Sequence, residues 1–236
     1  MVVLELPEPL AVRRTVSLST AVIDGEIIVQ GMRGVRAESF AQALAVAEQG
    51  DAAVLVAAEL PPLDRARLDV MVDARMAKRN IDTSIDDAES VVALGPGFTA
   101  GVDCHAVVET MRGPNLGRVV WTGQAQPDTG TPAELGGRSA DRVVRAPAAG
   151  AVEWRIAIGD VVSGGQLLGA VGDATVRAPF DGVVRGAIRS GMTVRAGLKI
   201  GDVDPRSDPA ECWKISDKAL AVGNGVLEAV QVRLRQ

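Results

Sequence analysis

Near the middle of the chain lie three polar residues whose side chains can transfer protons or bind a metal ion: Asp103, His105 and Glu109. His105 is the only histidine in the sequence, so any imidazole chemistry depends on it. If residues 102–110 form a β-strand, the three side chains lie on one face, because successive side chains alternate. The spacing therefore indicates either a small acid–base site or a histidine that is hydrogen-bonded on a solvated strand face, the commoner case for a lone histidine.

A glycine-rich segment precedes these residues. Residues 95–101 read Gly-Pro-Gly-Phe-Thr-Ala-Gly and follow the apolar run 91–94. Glycines let a loop direct its N–H groups at one point, which is how loops at strand ends bind phosphate or carboxylate. A tight structural turn is the alternative, but open α/β sheets bind ligands at the carboxyl ends of their strands, which favours a ligand. The ligand-binding candidates of this loop are Gly95, Gly97, Thr99 and Gly101.

Asp73 and Lys78 form a further candidate pair. Asp73 ends the strand-like run 69–73, and Lys78 follows shortly after it. A carboxylate at a strand end and a nearby ammonium group can bind a ligand together. The same two residues equally fit a helix cap and a surface charge.

The segments that must position these residues alternate between strand-like and helix-like patterns, which predicts an α/β unit. Residues 2–6 form a short apolar run. Ser39 with Gln42 resembles a capping box at the start of a helix that ends at Gly50. Residues 52–58 are continuously apolar up to the next acid, as in a strand covered on both faces. We therefore predict an α/β domain over residues 1–123 that carries the candidate ligand loop.

The second half of the chain contains an internal repeat. A shift of thirty-two positions superposes Arg145-Ala146-Pro147 on Arg177-Ala178-Pro179. The same shift aligns four pairs of glycines: Gly150 with Gly182, Gly159 with Gly191, Gly165 with Gly197, and Gly169 with Gly201. Each copy is too short to bury its own apolar face, so we expect the two copies to fold against each other. The predicted division is a linker over 124–143, a duplicated β-module over 144–204, and a C-terminal segment, 205–236, that packs back on the core.

The repeat motif, Ala-Pro-x-x-Gly-x-Val followed by Gly-x-x-Val-x-x-Gly, resembles the barrel-sandwich hybrid of biotinyl and lipoyl domains. In those domains the modified lysine sits on the hairpin between the halves, which corresponds to residues 170–176 and contains no lysine here. Lys199 is the only lysine within the module and belongs to the closing strand. The resemblance therefore implies an all-β module that carries neither biotin nor lipoate and has a structural or docking role.

Composition narrows the classes of partner. The net charge of −5 and the pI near 5.0 provide no basic field for nucleic acid. The longest apolar run, 52–58, is far shorter than the roughly 20 residues of a membrane-spanning helix, and the first residues do not resemble a secretory signal. Cys104 and Cys212 are too few for a disulfide framework or a zinc motif. We expect a cytoplasmic protein without a metal site, a membrane segment or a nucleic-acid partner.

Several segments along the chain together match one bacterial protein family. They are Arg13-Arg14-Thr15-Val16-Ser17, Val72-Asp73-Ala74, Ala77-Lys78-Arg79-Asn80, residues 95–101 with 103–110, residues 201–206, Ile215-Ser216-Asp217-Lys218, and Gly225-Val226-Leu227-Glu228-Ala229. These segments resemble the selenium-dependent molybdenum hydroxylase system proteins. The resemblance implies a role in the maturation or cofactor insertion of a molybdenum hydroxylase, with that enzyme or its maturation proteins as partners. The ligand it implies is a molybdopterin-type or nucleotide group, and a homo-oligomer is compatible with it.

One departure from the family concerns the N-terminus. Members of the family begin with a strand and a Gly-Ala-Gly-Asp turn, whereas residues 2–6 correspond to the second strand. The resemblance therefore implies a Rossmann-like unit without its first strand and glycine-rich turn, and Glu5 is near the place of a ribose-binding acid. Two other functions stay open: a non-catalytic adaptor, and a small enzyme that uses Asp103, His105 and Glu109. The balance of these features favours a protein that is not an enzyme.

Overall fold

The computed structural model of the protein describes residues 1–57, 68–128, 142–206 and 208–235. Contacts divide the chain into two compact units, each made of two segments. Unit 1 comprises Met1–Leu60 and Thr131–Ile215, and unit 2 comprises Pro61–Gly130 and Ser216–Gln236. This division differs from the predicted succession of domains along the chain. Most of the predicted linker, 124–143, lies outside the described residues.

Strands dominate both units. The helices are α1 (Ala21–Asp24), α2 (Phe40–Glu48) and α3 (Asp217–Arg233). The strands of the first half are β1 (Val2–Glu5), β2 (Glu26–Val29), β3 (Met32–Ala37), β4 (Ala52–Val56), β5 (Val70–Asp73), β6 (Ser90–Leu94), β7 (Thr99–Ala100), β8 (Ala106–Val108), β9 (Val119–Val120) and β10 (Gly123–Gln124). Those of the second half are β11 (Val143–Arg145), β12 (Gly150–Trp154), β13 (Val161–Val162), β14 (Leu167–Val171), β15 (Ala174–Arg177), β16 (Gly182–Ala187), β17 (Thr193–Val194) and β18 (Lys199–Asp204).

The N-terminal part of unit 1 is a four-stranded mixed sheet in the order β1-β4-β3-β2. Strand β4 is parallel to both β1 and β3, and α2 connects β3 to β4. Ser39 accepts a hydrogen bond from the backbone N–H of Gln42 at 3.2 Å, and the Gln42 side chain accepts one from the N–H of Glu38 at 2.8 Å. The predicted start of this helix is therefore confirmed, because its first N–H groups have side-chain acceptors.

The repeat in unit 1 forms two four-stranded antiparallel sheets, β11-β18-β16-β13 and β15-β14-β12-β17. Each strand of one sheet has its counterpart, thirty-two residues away, at the same place in the other. One core contains equivalent residues of both copies, such as Val152 and Val184. The β14–β15 hairpin turns at Gly172 and Asp173. The two copies thus complete a core that neither could form alone.

Unit 2 is built on a mixed sheet in the order β5-β6-β8-β9, in which β5, β6 and β8 are parallel. Helix α3 packs on one face, where Val92 and Val108 meet Ala229. The other face packs against the 98–104 segment, with Val91 in contact with the core around Phe98. The strands are therefore covered on both faces, as expected of short apolar parallel strands.

The predicted fold class, a Rossmann-like α/β unit plus a biotinyl/lipoyl barrel-sandwich hybrid, is wrong. The described residues form mostly strands in five mixed or antiparallel sheets with few helices, and neither predicted architecture is clear among them. Between β5 and β6, where a Rossmann-like fold has a helix, the described residues contain only the 3-10 turn Ile85–Asp87. Polar side chains there bond nearby backbone groups, as Asn80 Oδ1 accepts from the N–H of Thr83 at 2.8 Å, and so compete with a helix. In the second half, the repeat motif indicates strands and turns but not how the sheets pair.

No helix among the described residues is long and apolar enough to cross a bilayer.

The shared core of the repeat leads to a stability prediction. Val152→Ala and Val184→Ala, at equivalent buried positions, should each lower the free energy of unfolding by about 2 kcal/mol, because each removes packed methyl groups and leaves a cavity. Urea denaturation of the full chain measures the loss. Val161→Ala is the control, since this side chain is 66% exposed and should change stability by less than about 0.5 kcal/mol. A large loss from only one of the buried pair would contradict a core that the copies share equally.

Candidate anion-binding site

The parallel strands of unit 2 bring three of the sequence-predicted residues to one edge of the sheet. Asp73 ends β5, Gly95 follows β6 and Glu109 follows β8, so all three lie at the carboxyl ends of parallel strands. The N–H of Gly95 donates to the carbonyl of Val108 at 2.9 Å. Ligands commonly bind at this edge in open sheets, which makes it the candidate site of unit 2.

Asp73 is a buried acceptor rather than a free acid. Its carboxylate accepts hydrogen bonds from Arg75 Nη2 at 2.6 Å and from Thr83 Oγ1 at 2.7 Å. Burial alone would raise the pKa of this carboxyl, but the hydrogen bonds from Arg75 and Thr83 hold the pKa below its ordinary value. Arg75 also contacts the exposed Asp82 at 2.7 Å. Asp73 therefore fixes the loop after β5.

The predicted pair of Asp73 and Lys78 does not form. Lys78 Nζ instead contacts the carboxylate of Asp128 at 2.6 Å, and both side chains are substantially exposed. The backbone of Lys78 has a φ of 63°, a left-handed conformation that is uncommon for residues other than glycine. Lys78 nevertheless belongs to the loops at the carboxyl edge, through its link to Asp128.

In the glycine loop, several N–H groups already have acceptors within the protein. The N–H of Gly95 bonds Val108, that of Thr99 bonds Asp103 Oδ2 at 2.7 Å, and that of Gly101 bonds the carbonyl of Cys104 at 2.8 Å. Gly97 has a φ of 105°, and a Cβ there would lie 2.4 Å from the Cα of Arg79. The glycines are thus required by turns and by close backbone approach, and they leave few donors for an anion.

A shared face for Asp103, His105 and Glu109 depended on a strand over residues 102–110, and that strand does not form. Only Ala106–Val108 is a strand, and Asp103 lies in the turn before it, where it also accepts from the Asn80 side chain at 3.2 Å. His105 enters β8 at its amino end and Glu109 leaves it at the other. The three side chains are therefore separated along the chain's path.

The partners of His105 and Glu109 also differ. His105 Nδ1 accepts a hydrogen bond from the N–H of Val91 at 3.0 Å, and burial together with the nearby charge of Arg233 lowers the pKa of its imidazole. Glu109 is only 2% exposed. Its carboxylate accepts from the N–H groups of Met111 at 2.6 Å and Gln126 at 2.7 Å. These contacts indicate that His105 has a neutral imidazole and that the Glu109 carboxylate satisfies backbone N–H groups.

Two cations that the sequence did not single out as site residues lie at the same edge. Arg112 contacts Asp217 at 2.5 Å, and Lys218, in the first turn of α3, is close enough to Arg112, Glu109 and Asp128 to interact with their charges. Burial, followed by the positive charge of Arg112, lowers the pKa of the Lys218 ammonium group. Lysine, arginine and carboxylate side chains thus gather at one edge of the sheet. We call Lys78, Glu109, Arg112, Asp128 and Lys218 the carboxyl-edge cluster.

An anion would compete with carboxylates at this cluster, because Asp128 contacts Lys78 and Asp217 contacts Arg112. Within residues 1–57, 68–128, 142–206 and 208–235, no group of three or more His, Cys, Asp and Glu side chains could hold a metal ion. Cys104 is fully buried, and burial followed by the charge of Asp103 raises the pKa of its thiol to about 11. A thiol in this state is a poor ligand and a poor nucleophile at neutral pH.

Comparisons with known proteins add one close relative. No protein-family model matches the sequence. The chain is 43% identical over all 236 residues to "Uncharacterized protein YqeB" of Escherichia coli (strain K12), and it spans 44% of that protein's length.

Two solved structures are similar at a much lower level. One is an aspartoacylase family protein from Mesorhizobium loti, 22% identical, with a TM-score of 0.25 over 27% of this chain and 23% of that one. The other is a succinylglutamate desuccinylase/aspartoacylase from Rhodobacter sphaeroides, 20% identical, with a TM-score of 0.27 over 51% of this chain and 47% of that one. Neither likeness bears on the function of the site.

The two partners of Arg75 give a pH-dependent prediction. Asp73→Asn should lower the free energy of unfolding by about 1–3 kcal/mol near pH 7, because it replaces a buried acceptor of charged hydrogen bonds. Since the folded pKa of Asp73 lies below the unfolded one, its contribution is present above the unfolded pKa and is lost as pH falls through the folded pKa. Denaturation from pH 7 down to pH 2 should show the two proteins converging. Asp82→Asn, on the exposed side of the same guanidinium, should cost no more than about 0.5 kcal/mol; equal losses from both variants would refute a special role for Asp73.

The glycine loop gives a second prediction. Gly97→Ala should destabilise the protein by about 2–4 kcal/mol, because the new Cβ meets backbone atoms and the residue keeps a left-handed φ. Gly101→Ala is the matched control: its φ of 86° is also left-handed, but no atom lies within 4 Å of the new Cβ. It should cost only about 1 kcal/mol of backbone strain. Thermal unfolding distinguishes the two, and similar midpoints would show that the close approach at Gly97 is unimportant.

Proposed function

We propose that this protein is a cytoplasmic accessory protein for the maturation of a selenium-dependent molybdenum hydroxylase, and that its unit 2 binds an anionic ligand or cofactor. The observation that supports the ligand is the carboxyl-edge cluster, in which Lys78, Arg112 and Lys218 lie at the edge where open sheets bind ligands. The link to a molybdenum hydroxylase is supported by the sequence resemblance alone.

The cluster and the resemblance concern the same part of the chain. Lys78, Glu109 and Lys218 all belong to segments that resemble the selenium-dependent molybdenum hydroxylase system proteins. A molybdopterin-type or nucleotide cofactor carries phosphate groups, which match cationic side chains. Arg112 donates through Nη1 and Nη2 to the carboxylate of Asp217, so a phosphate would bind this guanidinium in place of that exposed carboxylate. Lys78, Arg112 and Lys218 are the residues that would hold such a group.

A non-enzymatic role is the better proposal for this geometry. General acid–base catalysis needs groups that reach the same reacting atoms, and His105 and Glu109 sit at opposite ends of β8. The partner of the ligand-bound protein would be a molybdenum hydroxylase or one of its maturation proteins. An adaptor that binds this partner without any ligand is the second candidate, and the same variants distinguish the two.

Isothermal titration calorimetry of the full chain with molybdate, with CTP and with a molybdopterin dinucleotide tests the ligand proposal. We expect one of these anions to bind, and Arg112→Gln and Lys218→Gln each to weaken its binding about tenfold through the loss of a charged contact. The control is Arg118→Gln, which removes the same charge from an exposed side chain that contacts Asn115 at 3.0 Å. The ligand proposal fails if none of the anions binds at millimolar concentration, or if the control weakens binding equally. A hydroxylase complex that survives both cluster substitutions without any ligand would favour the adaptor.

Lys218 should also show opposite effects on stability and binding. Because burial lowers the pKa of this ammonium group in the folded state, its charged form opposes folding at neutral pH. Lys218→Met should therefore raise the thermal unfolding midpoint at pH 7. The gain should shrink as pH rises through the lowered folded pKa and should be absent above the ordinary lysine pKa, where the side chain is neutral in both states. Lys214→Met is the opposite control, since Glu211 raises the pKa of Lys214, and it should give no gain. A lower midpoint for Lys218→Met at pH 7 would contradict this account.

A further inference from the structure

A groove in the duplicated β-module is lined by equivalent residues of the two copies. It has a volume of about 190 Å³ and lies beside β11 and β15, the outer strands of their two sheets. Its lining includes three pairs of residues that are related by the thirty-two-residue shift: Val144 with Val176, Arg145 with Arg177, and Pro147 with Pro179. The groove therefore presents the same groups twice, once from each copy.

The arginine pair is the one place where the two copies of the repeat keep the same charged residue. When residues 145–171 are superposed on 177–203, Arg145 and Arg177 are the only charged residues that coincide. Elsewhere the charges differ, as where Glu153 corresponds to Arg185. The other identical positions hold Gly, Ala, Pro, Val or Ile, which turns and the core require. The arginine pair is exposed, and each member bonds a turn glycine of its module through one N–H, which leaves the rest of the guanidinium for another partner.

Both guanidinium groups are held in the same way. Arg145 Nη1 donates to the carbonyl of Gly197 at 3.0 Å, and Arg177 Nη1 donates to that of Gly165 at 2.9 Å. These two glycines are themselves equivalent in the repeat. Among the residues that the structure describes, neither arginine has a carboxylate partner in an ion pair. Each thus keeps its Nε and Nη2 edge, the edge that binds a carboxylate through two parallel hydrogen bonds.

The other lining residues are three valines, two prolines and Thr175, whose hydroxyl adds a polar group. Val144 and Val176 are 6% and 4% exposed, so their side chains form part of the core beneath the groove. Pro147 and Pro179 contribute ring surface and no backbone N–H. The groove therefore combines two cationic groups with a mostly aliphatic lining.

We propose that this groove binds a small aliphatic dicarboxylate, with one carboxylate on Arg145, the other on Arg177 and the carbon chain over the valines and prolines. A ligand with two like ends matches a groove with two like cations. The volume is smaller than the roughly 300–1,000 Å³ of pockets for drug-sized ligands, which favours a short diacid. This site lies in unit 1 and is independent of the ligand proposed for unit 2.

Nuclear magnetic resonance titration of the full chain with succinate, glutarate and adipate, at constant ionic strength, tests the proposal. We expect saturable shifts of the Val144 and Val176 methyl signals with at least one diacid. Acetate should bind at least tenfold more weakly, because it can engage only one arginine at a time. Shifts that never saturate with any diacid, or an acetate affinity equal to that of the best diacid, would overturn the proposal.

Substitutions test the symmetry of the site. Arg145→Gln and Arg177→Gln should each weaken diacid binding about tenfold and to a similar extent, and the double variant should bind no better than acetate binds the unaltered protein. Arg195→Gln removes the same charge from an exposed position of the module outside the groove lining and should leave the affinity unchanged. A loss with Arg195→Gln, or with only one groove arginine, would overturn the assignment. Thermal unfolding of each variant identifies losses of binding that come from misfolding.

Two further anions distinguish a diacid from other occupants. Pyrophosphate carries two anionic ends without a carbon chain and should bind more weakly than the best diacid. A short acidic peptide with two aspartates should also bind more weakly, because it places polar backbone amides, instead of a carbon chain, over the valines and prolines. Tighter binding of either probe would replace the dicarboxylate with that class of ligand and overturn the proposal.

Discussion

Carboxylates buried among loops hold unit 2 together. Its parallel strands are connected largely by loops and turns, so many backbone N–H groups need acceptors that a helix would have supplied. Asp103 accepts from the N–H of Thr99, and Glu109 accepts from two N–H groups of the loops that follow β8 and β10. Asp73 does the same for the loop after β5. A buried donor left without its acceptor costs about 1–3 kcal/mol. The first role of these acids is therefore to accept hydrogen bonds from the backbone of the loops.

This constraint explains why the acids looked catalytic in the sequence. A carboxylate just after an apolar run is typical both of an active site at the end of a strand and of an acceptor for the next loop. Only the position of the donors distinguishes the two cases, and those donors come from loops up to seventeen residues away, as with Gln126 and Glu109. The sequence therefore identified residues at the right edge of the sheet, but it could not show that Asp73 and Glu109 accept hydrogen bonds from the loops there.

Local signals were reliable guides to local structure. The apolar runs 52–58 and 91–94 contain or nearly coincide with β4 and β6, and Ser39 begins α2, because burial of a run and capping of a helix depend on neighbours in sequence. Connections were not predictable in this way. The segment between β5 and β6 lacks the helix that a Rossmann-like fold has there, because its polar side chains bond their own backbone. Lys218 reaches the carboxyl edge from α3, about a hundred residues beyond Arg112. No spacing in the sequence predicts that Lys218 lies near Arg112.

Cations that pair with a buried carboxylate have a structural role, and cations without such a pair are candidates for binding a ligand. The β-module buries Asp202 and Asp204, and each has an arginine partner, Arg142 at 3.1 Å and Arg206 at 2.6 Å. Burial of a charge is expensive, so such pairs are what folding requires. Arg145 and Arg177 bond turn carbonyls instead of carboxylates, and burial lowers the pKa of Lys218 although Glu109 and Asp128 are near it. These are the positions where a bound anion would add negative charge.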